Sequence, residues 1–177
     1  DFATDFALPL AFAVSTKLVG LPDGKSDISW LIDHLSRSMA RTVGELGVPA
    51  DAAISNHETE DFFQTAVTKR MEELAMSADS NISDVITQVL NAMEKGKVES
   101  DEIVGLTHLV YSASTDAPSA LLTNAVVILD KYPQLQVFLR ENPQMIGNFI
   151  EEVLRYDTPG QNVSRQTTVE LTFSGVT

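Results

Sequence analysis

The sequence predicts a mainly α-helical domain, and three observations carry that prediction. Between Glu102 and Asp130 the only charged residue is Asp116, an apolar run far too long for a strand and suited to a buried helix. Most of the remaining chain divides into segments whose apolar residues recur every three or four positions, which is the helical period. Strand-like alternation is confined to Val169–Phe173, which predicts one or two short β-strands at the C-terminal end. With 177 residues and 44% hydrophobic content, the chain can bury a substantial core as one domain spanning 1–177.

In order, Leu8, Ala11, Phe12, Ser15, Leu18 and Val19 form a helical stripe that stops at Gly20, with Pro22 just beyond. Asp1 and Asp5 do not fit a signal peptide, and the run from Ala7 to Val14 is too short to cross a bilayer. Asp27–Val43 reads as an amphipathic helix with Trp30, Leu31, His34, Leu35 and Met39 inward, His34 being a core or boundary histidine. Residues 44–56, with Gly47 and Pro49, read as a flexible loop.

Glu58–Ala75 is a charged amphipathic helix in which Phe62 and Phe63 face the core, with a channel lining as the sharper option. His57-Glu58 opens an H-E-x-x-H pattern, but Asp61 stands where the second histidine is needed, so no metal site forms. Ile82–Met93 is a helix with Asn81 as N-cap and Asp84 at its third position, closed by Lys95-Gly96-Lys97. Ser100 caps the long apolar helix, with Asp101 and Glu102 at its positive end. Within that helix, Leu109, Ala113 and Ala117 share a face. Pro118 lacks an N–H and leaves the carbonyl of Ser114 without its helical donor. Lys131–Asn142 is a short helix between Pro133 and Pro143. The next helix carries Ile150, Val153 and Leu154 and ends at Thr158-Pro159-Gly160.

A net charge of −13 and the lack of clustered Lys and Arg exclude a nucleic-acid footprint and disfavour an anionic membrane surface. A cytoplasmic location is expected. The chain contains no cysteine, so disulfides, thiolate metal sites and cysteine nucleophiles are excluded. No histidine stands beside a candidate nucleophilic serine.

Glu152 and Arg155 lie one turn apart, which on an exposed helix is an ordinary surface pair. Their context is more specific. Glu151-Glu152-Val153-Leu154-Arg155-Tyr156-Asp157-Thr158-Pro159, with Arg165 ten residues after Arg155, resembles the K helix and following strand of the cytochrome P450 family. The stretch Ala113-Ser114-Thr115-Asp116-Ala117 lies at the matching upstream distance and resembles that family's I helix. The resemblance implies the D-to-K portion of a cytochrome P450-like fold, with the earliest helices and the cysteine loop outside the chain.

On that resemblance, Glu152 and Arg155 form a buried structural pair and Asp116 serves proton delivery. Ala117 stands where the family usually has a threonine, and Ser114 where it usually has a glycine. Haem in a complete protein would meet Ala113, Ser114, Ala117 and Arg165, while Leu109, Ser112, Gly160, Gln161 and Asn162 would face substrate. The implied activity is oxygen-dependent oxidation of a small organic substrate, with a ferredoxin-type electron donor. Without cysteine, the chain itself should bind no haem as a thiolate complex. The alternative is a haem-free relative that activates a partner such as a glycosyltransferase, or a truncated product without function. A chain of this extent is also expected to self-associate through uncovered apolar surface, at Leu109 and Ala113 or around Phe62 and Phe63.

Overall fold

The computed structural model describes residues 1–22, 24–39, 50–76, 83–161, 168, 169, 171 and 172. A π-helical turn at Ala3–Ala7 runs into α1 (Leu8–Val19). Then come α2 (Lys25–Met39), α3 (Ala50–Met76), α4 (Val85–Glu94), α5 (Ile103–Lys131) and α6 (Pro133–Glu141). A 3-10 turn at Pro143–Met145 leads into α7 (Ile146–Tyr156).

The long apolar helix is the axis of the molecule: α1, α3, α4, α6 and α7 all pack on α5, and α2 packs on α3. Its inward face repeats every fourth residue through Ile103, Thr107, Tyr111, Thr115 and Ser119. At its centre Tyr111 is fully buried. Its ring meets Phe12 of α1 edge-on, with centroids 5.9 Å apart, and Phe63 of α3 at 5.5 Å. Its hydroxyl lies 3.0 Å from that of Thr16. Burial pushes the Tyr111 phenol up to about 12, so it stays neutral at any ordinary pH.

α1 meets α5 through Phe12, Thr16 and Val19, whereas Leu18, expected inward, is exposed. Thr16 takes the buried place because its hydroxyl is satisfied twice, by Phe12 O at 2.7 Å and by Tyr111. The helix ends at Gly20, whose φ of +90° is left-handed; the amides of Gly20 and Leu21 both donate to Thr16 O. Glycine is required there for backbone and space together, since a Cβ would collide with the Asp84 carboxylate.

In α2, His34 is buried as a boundary residue. Its ring stacks on Trp30, with Nδ1 2.9 Å from Trp30 O and Nε2 3.0 Å from the Glu58 carboxylate. The side chain of Met39 lies outside the described residues. The flexible loop expected at 44–56 is helical over 50–56: α3 begins right after Pro49, and Ala50, Ala52 and Ala53 are strong helix formers. Residues 44–49 lie outside the described set.

The N-cap of α4 is Asp84, which accepts from the Thr87 amide at 2.9 Å; Asn81, expected in that role, lies outside the described residues. Asp84 also receives the Arg70 guanidinium, and the two side chains are only 11% and 12% exposed. Arg70 further donates to Thr87 Oγ1 at 2.9 Å and Glu73 at 2.9 Å, tying α3 to α4 beside the end of α1. These carboxylates hold the Arg70 pKa above its usual value against the desolvation that would lower it. At the start of α5, Ser100 sits in the preceding turn and Glu102 holds the N-cap position. The Glu102 carboxylate accepts from the Glu99 amide and so caps nothing in the helix.

Beyond α7, no described residue is in a strand. Thr168 and Val169 form a bend, Leu171 and Thr172 have no regular structure, and the rest of the expected strand is outside the described residues. Among the described residues no helix is long and apolar enough to cross a membrane.

Candidate functional site

Pro118 sets the shape of the outer face of α5. With no N–H at position 118, the carbonyl of Ser114 loses its helical donor. The buried Ser15 of α1 replaces that donor: its hydroxyl donates to Ser114 O at 2.8 Å. Helix α1 thus supplies from outside the hydrogen bond that α5 cannot make. Removing it leaves a buried acceptor unpaired. Ser15→Ala is expected to cost about 1–2 kcal/mol in denaturant melts. In the Pro118→Ala background, where an amide returns to position 118, the same change should cost much less; equal costs would remove this role for Ser15.

Next to this repaired break, one side of α5, the N-terminal turn and the turn after α7 enclose an open groove of about 560 Å³. Asp116, Ala117, Ala120, Thr123 and Asn124 form its α5 wall, and Ala3, Thr4 and Leu8 face them. Pro159 and Gly160 close the end. Asn124 fixes that end, donating from its amide to Asp157 O at 2.8 Å. The Asp116 carboxylate is exposed in the groove and has no hydrogen bond or ion pair to a described residue. It lies open to solvent beside a wall of small side chains.

Of the residues singled out from the sequence, the fold brings Asp116, Ala117 and Gly160 together. Leu109 and Ala113 lie on the same exposed face, two turns and one turn before Ala117, outside the groove lining; Leu109 is 64% exposed. Ser112 and Ser114 are half-buried, and Ser114 uses its hydroxyl on Tyr111 O at 2.9 Å. Gln161 is exposed and does not line the groove. Asn162 and Arg165 lie outside the described residues. Thr123 and Asn124 were missed, although they extend the Asp116 face by seven and eight positions, the spacing of two helical turns.

Glu152 and Arg155 do pair, through two hydrogen bonds of 2.8 and 2.6 Å. They are not the buried pair that the resemblance implies. Both side chains are well over half exposed on the open side of α7, because no described element covers that face. The pairing lowers the Glu152 pKa and raises that of Arg155, each through the other's hydrogen bond. Solvent screening leaves such a pair little influence on stability. Glu152→Ala is therefore expected to leave the melting midpoint within measurement error. A large drop would mean that the pair is covered in solution.

Phe62 and Phe63 are unsuited to the interface expected of them. Phe63 is fully buried, and Phe62 stacks on Trp30 with centroids 5.2 Å apart. Among the described residues no group of three or more His, Cys, Asp or Glu could hold a metal ion.

No family model matches the sequence. Individual relatives do. The biotin biosynthesis cytochrome P450 of Bacillus subtilis is 29% identical over 183 residues, covering 100% of this chain and 43% of the relative. Cytochrome P450 CYP107DY1 of Priestia megaterium is 26% identical, covering 90% of this chain and 37% of the relative. Among solved structures, P450BioI in complex with an acyl carrier protein ligated to hexadec-9Z-enoic acid superposes with a TM-score of 0.77 at 25% identity. That match covers 99% of this chain and 44% of the other. CYP109E1 from Bacillus megaterium gives 0.77 at 24% identity, covering 99% and 45%, a likeness of fold. The chain spans about two fifths of the length of these relatives. On sequence and fold together, the chain is similar to a part of full-length cytochrome P450s.

Proposed function

We propose that this chain forms the helical wall of the reaction chamber in a cytochrome P450-type monooxygenase acting on a small organic substrate. The supporting observation is the convergence of Asp116 and Ala117 of α5 with Gly160 of the turn after α7 in one groove, more than forty residues apart in sequence. Haem, when held in such a protein, supplies the oxygen chemistry. The small side chains at Ala113 and Ala117 leave room for a flat group over α5, and Arg165 is the candidate partner for its carboxylates. These 177 residues contain no cysteine, so they do not supply the thiolate that family haem requires. No catalytic step is assigned to haem on this chain alone.

What the chain's own residues do is narrower. Asp116 presents an exposed carboxylate to the groove, in the place of the family's proton-delivery acid. Ala117 presents no hydroxyl beside it, so any second proton donor at that point is water or a substrate hydroxyl. Small organic substrate and a ferredoxin-type electron donor are the partners this reading carries. The missing hydroxyl at Ala117 supports a second reading, a haem-free partner that activates another enzyme such as a glycosyltransferase.

The isolated chain, titrated with haem, should give no thiolate-type band in a carbon monoxide difference spectrum; such a band would overturn the ligand assignment. The product of the whole encoding reading frame separates the two readings. A thiolate-type spectrum, lost on replacing a downstream cysteine, supports the monooxygenase. A frame without that cysteine overturns it in favour of the haem-free partner.

A further inference from the structure

The single tryptophan of the chain is stacked against a histidine whose two ring nitrogens both meet acceptors. His34 of α2 is only 8% exposed. Its Nδ1 lies 2.9 Å from Trp30 O, and its Nε2 lies 3.0 Å from the Glu58 carboxylate of α3. A backbone carbonyl can only accept a hydrogen bond, and so can an ionised carboxylate. A neutral imidazole has one N–H and makes one of these two bonds. The imidazolium, with an N–H on each nitrogen, makes both.

The surroundings suit that charge. The ring lies over the Trp30 indole, with centroids 3.8 Å apart and planes inclined by 22°, where a cation is attracted to an aromatic face. Trp30 also stacks on Phe62, so it belongs to the contact between α2 and α3. A second carboxylate, Asp33, is 3.7 Å from Nδ1. The single charge of α1, Lys17, is exposed, as are His57, Glu60 and Asp61 within a turn of Glu58; His57 faces Asp61 at 3.8 Å. The side chains of Lys25, Asp27, Arg37 and Asp51 lie outside the described residues.

We propose that His34 is a pH-operated clasp between α2 and α3. As an imidazolium it ties Trp30 O on its own helix to Glu58 on the next. When the ring gives up a proton, Nδ1–H keeps the carbonyl, and the Nε2 lone pair is left facing the Glu58 carboxylate. The tie between the helices is then lost. Its contribution to stability is therefore present on the acid side of the histidine titration and disappears as pH rises through it. In stronger acid Glu58 takes up a proton and loses the charge that the imidazolium faces, so the clasp works between two limits. It lies within one helix pair and is independent of the monooxygenase reading.

Trp30 reports on the clasp directly, since a charged imidazole in contact quenches indole emission more than a neutral one. Emission from the 177-residue chain should rise in one step between about pH 5 and 8, the range in which histidine changes charge. The step should vanish in His34→Gln and persist in His57→Gln. Denaturant melts of His34→Gln, Glu58→Gln and the double variant measure the coupling between the two side chains. The coupling should be several-fold in the folding equilibrium at about pH 6 and fall within error at about pH 8.5. Glu58 is half exposed, so the cost of Glu58→Gln, shrinking over the same interval, gives the answer should His34→Gln fail to fold. A flat emission, a step that survives in His34→Gln, or a cost of Glu58→Gln equal at both pH values would each overturn the proposal.

Discussion

Replacing Phe63 by alanine is expected to destabilise the fold by about 3–5 kcal/mol, the range for emptying a buried aromatic site. Phe63 is fully buried and its ring sits between α3 and α5. The centroid of His108 is 4.9 Å away, that of Tyr111 5.5 Å and that of Phe62 5.9 Å. The ring neighbours, Phe62 on α3 and His108 and Tyr111 on α5, cannot collapse into the space without moving backbone, so a cavity remains.

The same variant has a titration signature. Burial holds His108 below its usual value of 6.5, with Glu60 pulling weakly the other way. A histidine depressed in the folded state binds fewer protons there than when unfolded. Stability is therefore lost as pH falls through 6.5 towards the folded value. Water admitted by Phe63→Ala should raise the His108 pKa, so the cost of the mutation shrinks on acidification below 6.5. Melts across that range, with NMR titration of His108, check both parts. A loss under about 1 kcal/mol, or an unmoved His108, would show that Phe63 is not part of the closed core.

Asp84→Ala should cost about 3 kcal/mol, because one side chain serves two structural purposes. It caps α4 through the Thr87 amide and balances the nearly buried Arg70. Alanine removes the cap and leaves a desolvated guanidinium with only the half-exposed Glu73 as counter-charge. Asp84→Asn keeps an oxygen for the cap but not the charge, so it should fall between wild type and alanine. Denaturant melts with unchanged slope decide this. Equal stability of the alanine variant would mean that Arg70 re-solvates at no cost.

The helical class was legible in the sequence because the apolar period along each segment is local information. The charge-free run of α5, the stripe of α1 up to Phe12 and the stop at Gly20 all depend on residues within two turns of one another. The family motifs were legible for the same reason. The sequence did not show which member of a polar–apolar pair turns inward. Thr16 displaces Leu18 from the core because Tyr111, 95 residues away, offers its hydroxyl a partner. Asp84 displaces Asn81 as the cap through its own contact with the Thr87 amide, and Arg70, on another helix, completes its charge balance.

The same division runs through the candidate site. Sequence alone located Asp116, Ala117 and Gly160 and identified Ser114 as a carbonyl left without a helical donor. Only the tertiary structure supplied the donor, Ser15 of α1, and joined the three residues in one groove. It also decided that Glu152 and Arg155 pair in the open. The spacing of an ion pair along a helix is a property of the chain, whereas its burial depends on which other element comes to lie over it.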